Sequence, residues 1–263
     1  MLGVRDTDFH LDRVPASAEL AELVERYWLV RWSLPEGRRA SVTLLPHPCV
    51  NLALDRGQVT ISGVGRERFT YEFVGTGRVF GVKFRPGAFV PFLGGSVSEL
   101  TGQVRPLSSL WGGADADRFA AELDAAPGLD DLVAVAERHL RAHWPAHDPE
   151  VARVGQIVHA LLHDRAIARV DDVSARFGLS PRSLQRLFQR YVGVSPKWVL
   201  QRYRLHEAAA RLADGTSGSW AEVAVELGYF DQSHFIRDFT RAIGMTPVEY
   251  AGACQRRQAP VSA

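Results

Sequence analysis

The sequence has little cysteine and no long apolar segment, and each shortage argues against a class of protein. Cys49 and Cys254 are the only cysteines in 263 residues, so neither a disulfide framework nor a four-ligand zinc site is expected. No apolar run approaches the roughly 20 residues that span a bilayer, and residues 1–8 lack the apolar core of a signal peptide. We predict a cytoplasmic protein with no membrane partner, no metal and no cofactor.

Constellations that could carry catalysis are also scarce. His47 and Cys49 form the only close His/Cys pair, and two ligands flanking a proline make a poor metal or nucleophile site, better read as a turn entering a strand. His159, His163 and His206 show no carboxylate spacing that indicates catalysis. We predict no catalytic residues and no enzyme. The alternative, an N-terminal enzyme joined to a targeting module, stays open but lacks a nucleophile–base set.

Charge is distributed unevenly along the chain. The net charge is +1, yet residues 1–150 hold 16 Lys+Arg against 20 Asp+Glu, and residues 151–263 hold 15 against 10. Residues 180–204 contain six basic side chains and no acidic one. A basic module beside a mildly acidic one predicts that the C-terminal part, and not the N-terminal part, binds nucleic acid.

The stretch 228–243 predicts the second helix of a helix-turn-helix. Phe235 and Phe239 are four residues apart and therefore share one side of a helix. Asp231 is the expected N-cap, and Gly228 supplies the turn after the short helix 220–227. The opposite side of the predicted helix carries Gln232, Ser233, Ile236, Arg237 and Arg241.

A similar arrangement comes earlier in the chain. A short helix at 173–177 ends at Gly178, and Ser180 with Pro181 opens the next helix as cap and first helical residue. Its predicted buried stripe is Leu184, Leu187, Phe188 and Tyr191, and its outer stripe is Arg182, Gln185, Arg186, Gln189 and Arg190. Arginine and glutamine suit base edges and phosphates, so this helix too predicts DNA contact.

Here a family resemblance becomes specific. Residues 179–188, the Gly-Val-Ser-Pro at 193–196, residues 228–239 and residues 244–250 resemble the DNA-binding domain of the AraC/XylS family of bacterial transcription regulators. Two helix-turn-helix patterns, each followed by Gly-x-(Ser/Thr)-Pro, are a stronger signal than one. The resemblance covers about 153–250 and implies a regulator of promoter DNA, commonly an activator, associated with the nucleoid and acting on RNA polymerase.

The resemblance also assigns roles to individual residues. The base-reading positions of the family fall on Arg182, Gln185, Arg186, Gln232, Ser233, Ile236 and Arg237. Positions expected at the DNA backbone are Ser180, Arg190, Lys197, Arg202, Arg204 and Arg241. Thr240 stands where the family often has a basic residue, so the second unit is expected to read sequence less strongly. We expect His234 to be packed or capping rather than a ligand.

The N-terminal half predicts a β-rich domain. Short strand candidates at 42–45, 49–54, 58–62, 68–73 and 78–84 are separated by turn residues and indicate an antiparallel barrel or sandwich, after a helical start at 18–25. Residues 81–111 are similar to the N-terminal module of one AraC-like group of unknown ligand. The family resemblance implies a cupin-like barrel that senses a small organic effector. Aromatic candidates for its pocket are Trp28, Trp32, Phe73 and Phe84, unless they are plain core.

The predicted fold class is therefore α+β. An N-terminal β-barrel or cupin-like domain with flanking helices covers 1–145, an all-α domain with two helix-turn-helix motifs joined by a linker helix covers 150–251, and 252–263 is a flexible tail. The helix predicted at 129–143 either packs on the barrel or forms a homodimer contact. A third possibility is an N-terminal domain that takes no ligand and only oligomerises or binds a protein partner.

Overall fold

A computed structural model describes residues 9–164, 166–214 and 220–258, and it has the predicted α+β architecture. The strands are Phe9–Pro15 (β1), Val24–Ser33 (β2), Arg39–Leu44 (β3), Asn51–Asp55 (β4), Gln58–Ser62 (β5), Phe69–Val74 (β6), Thr76–Phe84 (β7) and Val104–Pro106 (β8). The helices of the same domain are Val90–Leu93 (α1), Ser108–Trp111 (α2), Gly113–Ala125 (α3) and Leu129–Ala142 (α4). A 3₁₀ turn, Val97–Leu100, separates α1 from β8.

The strands form two antiparallel sheets and not the closed barrel that was expected. The larger sheet has the order β1-β2-β7-β4-β5-β8, and β3 pairs with β6 in a separate ladder. In the described chain β1 and β8 are therefore the open edges of the larger sheet. The barrel prediction was wrong because strand count and spacing do not determine which strands pair; the 39–44 and 69–74 segments lie over one face of the sheet instead of closing it.

Each face of the larger sheet has its own cover, because side chains alternate along a strand. Tyr27 and Leu29 point into the main core, where Phe119 of α3 and Leu132 of α4 are buried. On the opposite face, Trp32 packs with residues of β3 and β6 in a smaller cluster. The apolar side of α4 thus contributes to the core of its own domain, which favours the packing alternative for this helix over the dimer contact.

Two glycines on β7 make room for the tryptophans of β2. Trp28 lies opposite Gly81, and Trp32 lies opposite Gly77. A Cβ atom at Gly81 would stand 2.2 Å from the Trp28 ring, and one at Gly77 would stand 2.4 Å from the Trp32 ring. Each indole therefore lies flat against glycine backbone, and a larger residue at either position would have to displace it.

The predicted helix at 18–25 is not formed. The chain makes two successive hydrogen-bonded turns, from Ser17 to Ala21 and from Leu20 to Val24, and β2 then begins at Val24. The apolar residues of the turns, including Leu20 and Leu23, are buried in the core. From Val24 onward the backbone of β2 pairs with β7, so the turns do not continue into a helix.

The C-terminal domain is entirely helical. Its helices are Pro149–His163 (α5), Val170–Phe177 (α6), Pro181–Tyr191 (α7), Pro196–Ala213 (α8), Trp220–Glu226 (α9), Gln232–Ile243 (α10) and Pro247–Gln258 (α11). Helix α8 joins two hydrophobic cores. Val199 and Tyr203 lie in the core shared with the N-terminal domain and α5–α7, whereas Ala208 and Leu212 lie in a second core with α9–α11.

Helix α11 extends beyond the domain end placed at 251. It continues to Gln258, and Cys254 on it is buried in the second core, so residues 252–258 are helical and not the flexible tail that we expected. Residues 259–263 of that segment lie outside the described residues. Cys254 enters the second core, but the small and basic residues around it hide the helical signal in the sequence.

Candidate nucleic-acid interface

Helix α7 presents a continuous polar face to solvent. Ser180 caps it by accepting a hydrogen bond from the amide of Ser183 at 3.1 Å, with Pro181 at the first helical position. Leu184 and Phe188 are fully buried, which fixes the rotation of the helix. The exposed residues on its outer side are Arg182, Gln185, Arg186, Gln189 and Arg190.

Helix α10 is built in the same way. The Asp231 carboxylate accepts a hydrogen bond from the amide of His234 at 2.7 Å, while Phe235 and Phe239 are fully buried. The exposed positions on its outer side are Gln232, Ser233, Arg237 and Arg241. Ile236 is only half-exposed and packs partly against the second core, so less of its side chain is available to a groove.

His234 is placed at the edge of this unit. Its ring makes an edge contact with Tyr229 at 5.3 Å between centroids, and its Nε2 lies 3.5 Å from the Asp238 carboxylate. The same carboxylate pairs with Arg241 at 2.9 Å. His234 therefore supports the geometry of α10 from one side, as a packed residue would.

Phe230 is an exposed aromatic residue that the sequence argument did not single out. It is 92% exposed and stands directly before the Asp231 cap of α10. Gly228 turns the chain two residues earlier with φ of +71°, so Phe230 projects from the turn of the second unit. A large apolar residue between a glycine turn and a helix cap, where polar residues are usual, was the available signal.

Helix α8 connects the two helix-turn-helix units, and Arg204 on this helix forms hydrogen bonds with both of them. Its guanidinium donates to the carbonyl of Ala168 at 2.6 Å, ahead of α6, and to the carbonyl of Gly228 at 3.4 Å, in the turn before α10. Burial lowers the pKa of Arg204. These contacts use Arg204 as an internal tie, in contrast to Lys197, which is exposed near the start of the helix.

Arg202 is also turned inward. It is 5% exposed, donates to the carbonyl of Arg66 at 2.6 Å, and its guanidinium carbon lies 4.3 Å from the centre of the Trp198 ring. In this arrangement it belongs to the contact between the two domains and is not exposed to the phosphates of a DNA duplex. The sequence suggested a surface position because residues 180–204 contain six basic side chains and no acidic one.

The N-terminal domain packs against both helix-turn-helix units. Thr101 donates to the carbonyl of Gly193 at 2.7 Å, and Ser96 donates to the carbonyl of Gln189, at the end of α7, at 3.1 Å. On the second unit, a Cβ atom at Gly244 would overlap the Arg68 guanidinium. Loops of the N-terminal domain thus touch the C-terminal ends of both exposed helices.

The four aromatic residues suggested for an effector pocket do not share one site. Trp28, Trp32 and Phe73 lie on one side of the larger sheet, with 5.0 Å between the rings of Trp32 and Phe73. Phe84 is on the other side, 4.9 Å from Phe89. Phe84 follows Gly81, the residue opposite Trp28, by three positions along β7. Because side chains alternate along a strand, Phe84 and Gly81 face opposite sides of the sheet.

The His47–Cys49 pair is likewise not a catalytic arrangement. The His47 ring stacks on His206 of α8 at 4.0 Å, and Asn51 donates to the Cys49 sulfur at 3.7 Å. Burial raises the pKa of the Cys49 thiol to about 11, which disfavours the nucleophilic thiolate. The described residues contain no group of three or more His, Cys, Asp or Glu able to hold a metal ion.

Two capped helices with exposed arginine and glutamine, joined by one long helix and attached to a β-sheet domain, define a protein with a double helix-turn-helix. A family of helix-turn-helix domains matches residues 173–253, and a domain of unknown function, DUF6597, matches residues 12–106. The C-terminal domain is thus similar to the DNA-binding domains of AraC/XylS-type regulators, as predicted. None of its described helices is long and apolar enough to cross a bilayer.

Curated relatives match over part of this chain. The transcriptional activator NphR of a Rhodococcus species is 35% identical over 101 residues, 38% of this chain and 29% of NphR. The transcriptional activator RhaR of Yersinia pestis is 32% identical over 124 residues, 46% of this chain and 42% of RhaR. The chain therefore covers less than half of these relatives.

Among solved structures, ToxT of Vibrio cholerae with bound unsaturated fatty acid is similar over 94% of this chain and 96% of that chain, with a TM-score of 0.40 and 11% identity. The AraC-type regulator of Chromobacterium violaceum is similar over 40% of this chain and 92% of that chain, with a TM-score of 0.34 and 27% identity.

Proposed function

We propose that this protein is a sequence-specific DNA-binding transcription regulator. The observation that carries the proposal is the pair of capped helices, α7 and α10, that expose arginine and glutamine while burying their aromatic sides in separate cores joined by α8. Each would lie in a major groove, with the two grooves about one DNA turn, roughly 34 Å, apart. The helix-turn-helix match over residues 173–253 and the basic character of 180–204 support the same function.

The exposed faces suggest which residues read bases. On α7 we assign Arg182, Gln185 and Arg186 to base edges, because arginine pairs with guanine and glutamine with adenine through two hydrogen bonds. On α10 we assign the N-terminal residues Gln232 and Ser233, since this end of a recognition helix approaches the bases. These pairings would make α7 the stronger reader.

Three further residues of the second unit extend this assignment. Arg237 is exposed one turn further along α10 and would reach a base or phosphate. The exposed part of Ile236 would contact a thymine methyl group. We add Phe230 to this set, because its ring is 92% exposed beside the N-terminus of α10 and can make the same kind of apolar contact.

Backbone contacts follow from the exposed cations and caps around the same surface. Ser180, Arg190, Lys197 and Arg241 are exposed, and we assign them to phosphates, where they would add affinity without sequence information. Arg202 and Arg204 are left out of this set. Their guanidinium groups bind backbone carbonyls inside the protein, and releasing them would leave those acceptors unpaired.

The N-terminal domain would regulate DNA binding, and three roles are proposed for it. It would receive a small organic effector, form a homodimer, or bind a protein partner such as RNA polymerase, all in the cytoplasm with the chromosome. NphR and RhaR are named as activators, so activation is the proposed outcome. The aromatic packing of Trp32 on Phe73 argues against an effector site between the two sheets.

Selection from randomised duplex DNA tests the function directly. The full chain should enrich sequences with two conserved blocks about 10 base pairs apart, and its affinity should fall steeply with added salt. A double variant, Gln185→Ala with Arg186→Ala, should lose the first block. The matched control Arg153→Ala, on α5 and outside both recognition helices, should keep it. A chain that enriches no sequence is not a sequence-specific regulator.

A further inference from the structure

A cavity of about 400 Å³ lies between the two domains, and Arg241 is the one residue among the proposed DNA contacts that lines it. Its walls come from the β5–β6 loop at residues 66–68, from α8 and from α10. Arg66 and Arg68 enter from the loop, Arg202 from α8 and Arg241 from α10. Arginines from three separate parts of the chain therefore converge on one space.

Arg202 is the unusual member of this set. Its side chain is 95% removed from solvent, its Nη2 donates to the carbonyl of Arg66, and its Nη1 has no hydrogen-bond partner. Burial lowers the pKa of Arg202 to about 10, so the group stays charged at neutral pH. Arg202 lines the cavity together with both neighbours of its guanidinium, Arg66 and Trp198, and its unused donor is buried in that wall.

A buried cation with a vacant donor is costly, and no carboxylate in the described chain pairs with Arg202. Two carboxylates do line the cavity, those of Glu67 and Asp238. Asp238 already pairs with Arg241 at 2.9 Å. Four arginines against two carboxylates leave the space positive, so an anionic group would complete the hydrogen bonding of Arg202.

The remaining walls indicate the rest of the ligand. Trp198, Leu205 and Ala242 contribute apolar surface to the same cavity. The volume is near the lower end of the range for small-molecule sites, roughly 300–1,000 Å³. A compact organic molecule that carries one carboxylate or phosphate group fits both the charge and the size.

We propose that this cavity binds a small organic anion, with Arg202 and Arg68 holding its carboxylate or phosphate and Trp198 contacting its apolar body. Such a ligand would touch the loop of the N-terminal domain and α10 of the second helix-turn-helix unit at once. It would therefore stabilise the arrangement in which the loop covers the end of α10. This effect on DNA binding rests on the proposed function, but binding of the anion does not.

The binding test uses the full chain without DNA and three matched probes in isothermal titration calorimetry. Phenyl phosphate and benzoate should bind saturably, with dissociation constants of about 1 mM or lower, and neutral benzyl alcohol should not. Comparing the affinities for phenyl phosphate and benzoate shows whether the site prefers a phosphate or a carboxylate. Absence of saturation by both anions up to about 10 mM, or equal binding of benzyl alcohol, overturns the site.

Two variants locate the binding. Gln201→Glu adds a carboxylate to the cavity wall without changing side-chain size, and it should weaken anion binding about tenfold or more. Arg202→Gln should weaken it similarly, and if that variant does not fold, Gln201→Glu still decides the question. The control Arg153→Gln should bind as the unaltered chain does. Unchanged binding by Gln201→Glu overturns the assignment.

Coupling to DNA is measured separately, at constant ionic strength. Saturating phenyl phosphate should shift DNA affinity of the unaltered chain and leave that of Gln201→Glu unchanged, because only the first can fill the cavity. Equal affinity with and without phenyl phosphate overturns the coupling. A chain that binds phenyl phosphate but no specific DNA would refute the proposed function and leave the anion site standing.

Discussion

Replacing Arg186 by alanine separates base reading from general DNA affinity. Arg186 is exposed at the centre of the outer face of α7, and no described contact uses its side chain. Alanine favours helix at least as well as arginine, so the free energy of unfolding should change by less than about 0.5 kcal/mol. Any larger effect of this substitution must then come from the complex with DNA.

The size of that effect follows from the contact proposed. A two-hydrogen-bond pairing of arginine with guanine contributes about 1–3 kcal/mol of discrimination. Arg186→Ala should therefore weaken binding to the selected site by about 5- to 150-fold. It should also relax the preference at one base pair, while binding to unrelated duplex changes much less.

Fluorescence anisotropy with a selected duplex and a scrambled duplex, at one fixed salt concentration, measures both quantities. Arg190→Ala is the matched comparison on the same helix, because a phosphate contact should weaken both duplexes alike and reduce the salt dependence. If Arg186→Ala weakens the two duplexes equally, Arg186 reads no base. Thermal unfolding of the variant confirms that the loss is not one of folding.

Three further predictions concern folding. Gly81→Ala should lower the free energy of unfolding by about 1–3 kcal/mol in urea, because its Cβ would overlap the Trp28 ring; Gly113→Ala, at an open position, should not, and equal losses would contradict the packing. Burial lowers the pKa of His206 to about 4. The part of the free energy of unfolding that depends on neutral His206 should therefore be lost as pH falls from about 6.5 to 4. A His206→Leu variant that loses the same stability in acid would refute this. Asp231→Ala should lower the free energy of unfolding by about 1 kcal/mol, measured by thermal unfolding, and Asp231→Asn should lower it much less. Equal effects of the two variants would show that the cap hydrogen bond contributes nothing.

Much of the helical domain could be predicted from local chemistry. The caps at Ser180 and Asp231 and the aromatic spacing of Phe235 and Phe239 depend only on neighbours within one or two helical turns. Features that depend on such short-range contacts can be predicted from the sequence alone. The polar faces of α7 and α10 followed from the same periodicity.

The β domain was harder because strand pairing joins residues far apart in sequence. Trp28 meets Gly81, and β3 pairs with β6 across 25 or more residues. No local sequence pattern specifies which strands pair, so a closed barrel and two open sheets are predicted by similar sequence patterns. The prediction of a helix at 18–25 was wrong for the same reason, since pairing with β7 determines where β2 begins.

The sequence by itself determined where the helices of the DNA-binding domain begin, which sides of them are apolar and that they carry cations outward. Only the tertiary structure decided what those cations do. Arg190 remains exposed, whereas Arg202 turns inward to the carbonyl of Arg66. Identical side chains on adjacent helices take different roles because burial depends on what the fold brings against each one, here a loop from another domain.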